Sequence, residues 1–295
     1  MRCILRRIPF DSRADIFSIY PLGDTHVGHR GSREDAFAVY ADRIEADPLA
    51  RWVGMGDYLD CVQRSDKRYD VRETAEWMTL ADQEDIVAAQ RDHWLMMTRH
   101  IWSKCLGLLK GNHEDAIRRH YERDVYAELL RAVAEDNLWC EQMDGLGRKT
   151  GAELALGYVG QLWLQFARSN GSVTSIDSWW HHGYGGGRLK GAKALALQRA
   201  AGQFDVRLLV MGHTHDEVIE PINRIKRTVR GRLWNQRTMT MVSGTFLETY
   251  STEGAAYIER AGYPPGSIGT SYALVRPGMD LDAPLYEREL VQVVS

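Results

Sequence analysis

The sequence predicts an α/β (α+β) protein, and three patterns in the 295-residue chain support this fold class. Short apolar runs end directly in polar, glycine-containing motifs, as buried strands do when they deliver functional loops at their carboxyl ends. Helical patterns lie between these runs, so that strands and helices alternate. Two further β-type stretches in the second half read as neighbouring strands, and we expect that half to be more antiparallel.

Each predicted strand leads into a motif. The apolar runs at residues 16–22, 51–55, 105–110 and 206–211 precede GDTH, GDYLD, GNHE and GHTH, respectively. A fifth motif, HHG at residues 181–183, follows Trp179 and Trp180. Helices are predicted at residues 33–45, 82–104, 115–134 and 190–201.

The remaining segments complete the expected organisation. Residues 152–166 read as two β runs about residues 157–160, and residues 217–246 as a β meander with a turn near Arg230 and Gly231. We expect a helical insert at about residues 61–104, which could form a lid, and a loop-rich tail at about residues 254–295 that covers a sheet edge or joins a partner subunit. Because the motifs run from residue 24 to residue 215 without a linker, residues 1–295 are predicted to form a single domain.

Composition excludes several classes of function. The net charge of -3 and the pI of about 6.4 give no global basic field of the kind that marks a dedicated nucleic-acid binder. The four cysteines form no CxxC pair, which favours a reducing, cytoplasmic location. No stretch approaches the roughly 18 to 20 apolar residues that span a bilayer, so we expect no membrane association.

The first two motifs supply carboxylates and one imidazole. Asp24 and His26 in GDTH are one residue apart, so at a strand end both can point to one side and bind a cation. Asp57 in GDYLD has two oxygens and could bridge two metal ions. Each motif alone is also ordinary turn chemistry, and only the combination favours a metal site.

The last three motifs are more informative. In GNHE, Asn112 can ligate a metal through its carbonyl oxygen, which leaves His113 for proton transfer. In GHTH, His213 and His215 project to one face of an extended segment and can serve two neighbouring metals. In HHG we favour His182 as a ligand over His181, which strand alternation should turn away.

Five histidines lie outside the predicted ligand and proton-transfer set. His93, His100 and His120 fall in helical stretches and are expected to be surface or packing residues. His29 lies close enough to GDTH to reach the mouth of a pocket, although a surface role is favoured. His181 completes this set.

The ordered motifs GDxH, GDxxD, GNHE, H and GHxH resemble those of the calcineurin-like metallophosphoesterases, dinuclear metal phosphoesterases, over most of the first 215 residues. The resemblance implies a metallophosphoesterase-type β-sandwich of two mixed sheets flanked by helices, with two divalent metal ions held by loops at one sheet edge. Ligands of the first ion would be Asp24, His26, Asp57 and His215. Ligands of the second would be Asp57, Asn112, His182 and His213.

The resemblance also implies a mechanism. Two bridged ions lower the pKa of a shared water, producing hydroxide for in-line attack on phosphorus. His113 would be the general acid or a transition-state stabiliser, and Asp60 its orienting carboxylate, as in the phosphoprotein phosphatase branch. The mixed nitrogen and oxygen ligand set suits manganese, iron, zinc, nickel or cobalt, and we favour manganese.

Substrate class stays open between a phosphodiesterase, which we favour, and a phosphomonoesterase. Cys61 and Val62 follow Asp60 where the phosphatase branch has a phosphate-gripping Arg-Gly, and DTHVG resembles the DxHxG of the Mre11/SbcD nuclease branch, although that branch usually has GNHD. The substrate is therefore a phosphate ester, either a small molecule or nucleic acid. A non-catalytic, metal-stabilised scaffold and a homo-oligomer are alternatives that the sequence leaves open.

Three other features have both a functional and a structural interpretation. The basic stretch at residues 224–237 could track a phosphate backbone beside the site, or could be a solvated hairpin face. Arg188 or Lys190 in GYGGGRLKG could contact phosphate, or the glycines could simply make a flexible connection. The aromatic residues Trp77, Trp94 and Trp102 are more typical of core packing than of a base-stacking platform.

Overall fold

The computed structural model describes residues 1–136, 151–185, 187, 189–227, 231, 233–248, 250, 262, 264–278 and 290–295. Within these ranges thirteen strands form two mixed sheets. The order in the first sheet is β1 (Arg2–Pro9), β6 (Val159–Ala167), β7 (Val173–His181), β8 (Leu208–Met211), β11 (Leu233–Val242) and β10 (Ile222–Arg227), with β9 (Val218–Ile219) also paired to β11. The order in the second is β13 (Val291–Val294), β12 (Tyr272–Val275), β2 (Phe17–Leu22), β3 (Ala50–Gly54), β4 (Cys105–Leu109) and β5 (Ala155–Gly157).

Parallel pairing brings the motif loops to one edge. Strands β2, β3 and β4 are mutually parallel neighbours in the second sheet, and β7, β8 and β11 are parallel neighbours in the first. Every residue of β2 and of β4 is buried, as expected of strands covered on both faces. Because parallel strands end at the same edge, the loops after all of these strands meet there.

The two sheets pack face to face with helices outside them. Phe17 and Ile19 of the second sheet share a core with Leu164 of the first. The other face of the second sheet is covered by α1 (Glu34–Ala46), α2 (Ile86–Thr98) and α4 (Val125–Glu135), and the other face of the first by α6 (Lys190–Gln203). The predicted sandwich of two mixed sheets flanked by helices is therefore confirmed.

The predicted helix at residues 82–104 is wrong in extent. The structure has a 3₁₀ turn at Asp82–Glu84, helix α2 and a second 3₁₀ segment at Arg99–Lys104. The carboxylate of Asp85 accepts the amide hydrogen of Ala88 at 3.0 Å and so begins α2 as a side-chain N-cap. Only the last part of the expected insert is helical, since residues 61–85 contain no helix beyond Val71–Glu73 and Asp82–Glu84.

The predicted helix at residues 115–134 is divided into α3 (Asn112–Tyr121) and α4. Glu122 has φ of +56°, a left-handed conformation that ends α3, and Asp124 caps α4 by accepting the amide hydrogen of Ala127 at 3.0 Å. Sequence periodicity missed this break because the apolar pattern continues across it.

The two β runs predicted at residues 152–166 are confirmed as β5 and β6, although a short helix precedes β5. Residues 151–157 form the short helix α5 (Gly151–Leu154) and strand β5, which belongs to the second sheet, whereas β6 belongs to the first. Within the tail, β12 pairs antiparallel with β2, so the tail adds strands to the second sheet. The expected turn lies at the described Gly231, with φ of +81°. Arg230 and the tail residues 254–261, 263 and 279–289 lie outside the described residues. Among the described helices none is long and apolar enough to cross a membrane.

Candidate metal centre

The first cluster of potential metal ligands contains Asp24, His26 and His215. One ligand atom from each lies within 4.8 Å of the other two. Nε2 of His26 lies 3.3 Å from Nε2 of His215, which lies 3.4 Å from Oδ1 of Asp24. Asp24 and His26 follow β2, whereas His215 follows β8, so the two sheets supply the cluster jointly.

The second cluster contains Asp57, His182 and His213. Nε2 of His182 lies 3.3 Å from Oδ2 of Asp57 and 3.0 Å from Oδ1 of Asn112, which places the asparagine at the same position. Nδ1 of His213 lies 4.0 Å from the same Asp57 oxygen. The structure thus brings all seven predicted ligands into two groups. A bridging role for Asp57 stays a prediction.

Backbone strain is concentrated in these ligands. Of the seven described non-glycine residues with positive φ, five are candidate ligands: Asp24, His26, Asp57, His213 and His215. Such conformations cost on the order of 1–3 kcal/mol each and persist where surrounding structure imposes them. The expectation of extended backbone with alternating side chains at GDTH and GHTH is therefore wrong, because left-handed turns aim these side chains instead.

The donor set fits divalent cations. Nδ1 of His182 donates a hydrogen bond to the carbonyl oxygen of Met55 at 2.8 Å, so Nε2 is the ring atom that faces the oxygens of Asp57 and Asn112, where a metal ion would replace its proton. Oδ1 of Asp24 and Nδ1 of His213 are buried without a hydrogen-bond partner among the described residues. Converging acceptors without donors are costly unless a positive charge joins them.

Electrostatics point the same way. Burial disfavours the imidazolium of His182, but the charge of Asp57 outweighs it and raises the pKa of His182 to about 10. The second cluster therefore attracts a positive charge, which a proton or a metal ion can supply.

His113 lies beside the first cluster, at the start of α3. Nδ1 of His113 donates to the main-chain carbonyl of Asp60 at 2.5 Å, whereas Oδ1 of Asp60 is 3.9 Å away and too far for a hydrogen bond. The predicted orientation of His113 by the Asp60 carboxylate is not seen, because the backbone oxygen takes that position. Burial lowers the pKa of His113, but Asp57, Asp60 and this hydrogen bond together raise it above its ordinary value.

The Asp60 carboxylate faces a second imidazole equally closely. Its Oδ1 lies 3.9 Å from Nδ1 of His26, which is buried without a hydrogen-bond partner among the described residues. At 3.9 Å neither His26 nor His113 donates a hydrogen bond to the Asp60 carboxylate.

Sequence reasoning missed the role of Glu114. Its Oε1 accepts the amide hydrogens of Tyr58 at 2.7 Å and Leu59 at 3.2 Å, and its Oε2 accepts those of Asp57 at 3.1 Å and Gly111 at 3.0 Å. This buried carboxylate therefore ties the GDYLD loop to the GNHE loop. Burial and the neighbouring Asp57 charge raise the pKa of Glu114 to about 7. The spacing of GNHE contains the signal, since a glutamate three residues after the N-cap Gly111 can accept the N-cap amide hydrogen, as it does here.

A cavity of about 330 Å³ opens over the clusters. Its wall includes His113 and the apolar side chains of Val62, Met78 and Ile86 from the segment after GDYLD. Pro264 and Pro265 of the tail also line it. A ligand larger than inorganic phosphate can enter.

Two cations of the cavity wall were not predicted from sequence. Arg68 pairs with Asp66 at 2.8 Å, and the buried Lys193 pairs with Asp216 at 3.0 Å. Lys190 lies 3.3 Å from Asp216 and is mostly exposed, while Arg188 lies outside the described residues.

The described part of the basic stretch, residues 224–227 and 233–237, lies away from the site, contrary to the functional interpretation. It belongs to the β10–β11 hairpin, whose turn is at the start of β11, while the site lies beyond the end of β8, which is parallel to β11. Along β11, Leu233 lies nine residue steps and Arg237 five steps before Val242, or roughly 30 Å and 16 Å at about 3.3 Å per residue. Asp205 pairs with both Arg224 and Lys226, and Arg207 lies over the Trp234 ring.

The remaining predictions have mixed outcomes. His181 stacks on Trp179 and its Nδ1 accepts the amide hydrogen of Gly183, outside both clusters, so the choice of His182 agrees with the geometry. His29 lines the cavity edge. His93 stacks on Trp77 and lies 2.9 Å from Glu34, which agrees with the expected packing role. Trp94 and Trp102 are buried in the core, as predicted.

No protein-family model and no curated protein sequence matches the chain. Solved structures similar to it include a conserved Streptococcus pneumoniae protein described as a predicted phosphoesterase, at 10% identity and a TM-score of 0.30, over 88% of this chain and 83% of that one. Vps29 of Entamoeba histolytica, complexed with Zn²⁺, shares 13% identity at a TM-score of 0.33, over 95% and 97%. Chaetomium thermophilum Vps29 shares 12% at 0.33, over 96% of each chain. Structural similarity at this level supports no conclusion about function.

Proposed function

We propose that this chain is a metal-dependent phosphoesterase of the calcineurin-like type, with two divalent cations held by the two clusters. One observation carries the proposal: seven ligand-type side chains from five separate loops converge in two groups, and five of the seven line one cavity. Three of their buried atoms, Oδ1 of Asp24, Nδ1 of His26 and Nδ1 of His213, have no hydrogen-bond partner among the described residues. The order of the motifs supports the same function independently.

The chain's own residues have distinct roles in this proposal. Asp24, His26 and His215 hold one cation, and Asn112, His182 and His213 hold the other, with Asp57 serving both. Cations bound there supply charge neutralisation for phosphoryl oxygens and activation of water for in-line attack. The strained loops fix the ligands before substrate arrives, so little reorganisation accompanies reaction.

His113 is proposed as the general acid. Its Nδ1 is committed to the carbonyl of Asp60, so Nε2 is the atom that can deliver a proton to the leaving oxygen. The residue lines the cavity, where a leaving group would lie.

A phosphodiester is the proposed substrate class. The cavity has apolar walls beside His113 that can accommodate an ester group on the leaving side, and no arginine follows Asp60 directly in sequence. The distance of the basic hairpin from the site favours a small-molecule diester over a long nucleic acid. Manganese as the native metal, a cytoplasmic location and a single domain complete the proposal.

The test compares metal-dependent hydrolysis of bis(p-nitrophenyl) phosphate and p-nitrophenyl phosphate by protein loaded with Mn²⁺. We expect activity that EDTA removes and Mn²⁺ restores, with the diester preferred. His182→Ala should abolish hydrolysis, whereas His181→Ala, the adjacent histidine outside the clusters, should retain it. If the protein binds metal but hydrolyses neither compound and cleaves neither linear nor plasmid DNA, it is a metal-stabilised scaffold and not an enzyme. A preference for the monoester would show that the substrate class is a phosphomonoester.

A further inference from the structure

In the cavity wall, Asp66 engages only one edge of the Arg68 guanidinium. Nε of Arg68 lies 3.1 Å from Oδ1 of Asp66, and Nη2 lies 2.8 Å from Oδ2. A guanidinium has five N–H donors, and Asp66 engages one edge of it. Among the described residues none accepts a hydrogen bond from Nη1.

Asp66 acts as a support that fixes the guanidinium. The same carboxylate also accepts the amide hydrogen of Arg68 at 2.8 Å, so the side chain folds back on its own turn. The side chain of Arg68 is 40% exposed, and that of Asp66 is 23% exposed. An arginine held in this way loses little conformational entropy when its outer edge binds an oxyanion.

The position of Arg68 in the cavity indicates which part of a substrate it would contact. Arg68 lies eight residues after Asp60, and both residues line the cavity together with His113. Asp60 in turn holds His113 through its carbonyl oxygen. Arg68 therefore lines the same cavity in which His113 would protonate a leaving group.

We propose that Arg68 binds a second phosphate group carried by the substrate, on the leaving-group side of the scissile bond. The inference rests on the proposed function, and it narrows the substrate from any diester to one with an additional phosphate. A planar guanidinium edge matches two phosphate oxygens, and the anion would accept the N–H donors of Arg68 that Asp66 does not engage. The second phosphate is either linked directly, as in a phosphoanhydride, or separated by one nucleoside, as in an oligonucleotide.

Arg72 provides a matched control in the same segment. Its amide donates to Oδ1 of Asp70 at 3.0 Å, its Nε to the same oxygen at 3.0 Å, and its Nη2 to Oδ2 at 2.7 Å, the same local fold as Arg68 and Asp66. Its side chain is 80% exposed, and it is not among the residues that line the cavity.

The experiment measures binding to Mn²⁺-loaded, desalted protein by calorimetry for thymidine 5′-monophosphate, thymidine 5′-diphosphate and thymidine 3′,5′-bisphosphate. The wild-type protein should bind at least one doubly phosphorylated ligand more tightly than the monophosphate. Preference for the diphosphate identifies a phosphoanhydride, and preference for the bisphosphate identifies a nucleotide chain. Arg68→Ala should remove this preference by lowering the affinity for the doubly phosphorylated ligand about 10- to 100-fold. Arg72→Ala should keep the preference.

Two results would overturn the inference. One is equal affinity of the wild-type protein for all three ligands, and the other is an equal loss of affinity for all three ligands in Arg68→Ala. Neither depends on turnover. Failure of the proposed function is recognised separately, by absence of metal-dependent hydrolysis of bis(p-nitrophenyl) phosphate in the wild-type protein.

Discussion

At the scale of single residues, the candidate site depends on groups that hold the ligands as much as on the ligands themselves. Asp57 has a left-handed backbone conformation, and the carboxylate of Glu114 accepts its amide hydrogen and three others nearby. A strained ligand loop needs such a support because its own backbone preference would draw it away from the metal.

Glu114→Gln tests this support. The amide group of glutamine would face two of the four backbone donors and leave them unpaired, so we expect a loss of about 2–4 kcal/mol in the free energy of unfolding. Urea titration of metal-free protein measures it. Glu84→Gln, at an exposed position, should change stability by less than about 0.5 kcal/mol. Equal stability of the two variants would show that the support by Glu114 contributes nothing to the free energy of unfolding.

His113→Ala separates proton transfer from metal binding. We expect kcat for the diester to fall about 10²- to 10⁴-fold, because a positioned acid typically contributes that factor. Metal content by elemental analysis should be unchanged, since the Nδ1 atom of His113 binds the Asp60 carbonyl. Asp60→Ala keeps that carbonyl and should reduce kcat less than His113→Ala does. Full activity of His113→Ala would remove it from the mechanism.

At the scale of elements, helix α6 is attached to the GHTH loop by a buried ion pair. Nζ of Lys193 lies 3.0 Å from Oδ2 of Asp216 and 3.2 Å from the carbonyl oxygen of Thr214. Both contacts flank His215, so the position of the helix and the position of this ligand depend on each other.

Lys193→Met should therefore lower the free energy of unfolding by about 3 kcal/mol, because the buried carboxylate of Asp216 loses the positive charge that pairs with it. Lys190 contacts the other oxygen of the same carboxylate at 3.3 Å but is 70% exposed, and Lys190→Met should cost less than about 1 kcal/mol. Guanidinium titration of both variants at neutral pH gives the comparison. Similar losses in the two would mean that burial of the pair is unimportant.

At the scale of the whole molecule, each proposed metal would join the two sheets. Asp24 and His26 follow a strand of the second sheet, and His215 follows a strand of the first. The second cluster is divided in the same way, with Asp57 from the second sheet and His182 and His213 from the first. Metal binding should therefore stabilise the sandwich as a unit.

Addition of Mn²⁺ at 100 to 1,000 times its dissociation constant should raise the free energy of unfolding by about 2.7–4.1 kcal/mol. Differential scanning calorimetry with EDTA and with Mn²⁺ measures the change in Tm. Asp57→Asn should abolish most of the increase. His100→Ala should not, although His100 lies near Asp42 and Glu45 in an exposed group with ligand-type spacing. An increase that survives in Asp57→Asn but not in His100→Ala would place the metal at that surface group.

The sequence by itself determined the types of the candidate ligands, their order along the chain and the strands that precede them. These are local properties, because a motif after an apolar run specifies a loop at a strand end wherever that strand lies in the sheet. The sequence also predicted the alternation of strands and helices, except where Asp85 and Glu122 interrupt a continuous apolar pattern.

Only the tertiary structure decided which ligands meet, and which cations lie near them. Parallel pairing of β8 with β11 placed the basic hairpin at the far end of the sheet, and folding of the segment after GDYLD brought Arg68 into the cavity. Glu114 became the support of Asp57 through contacts between residues 55 to 57 positions apart in sequence. The physical reason is that strand pairing and loop packing depend on long-range burial, whereas side-chain chemistry is written directly in the sequence.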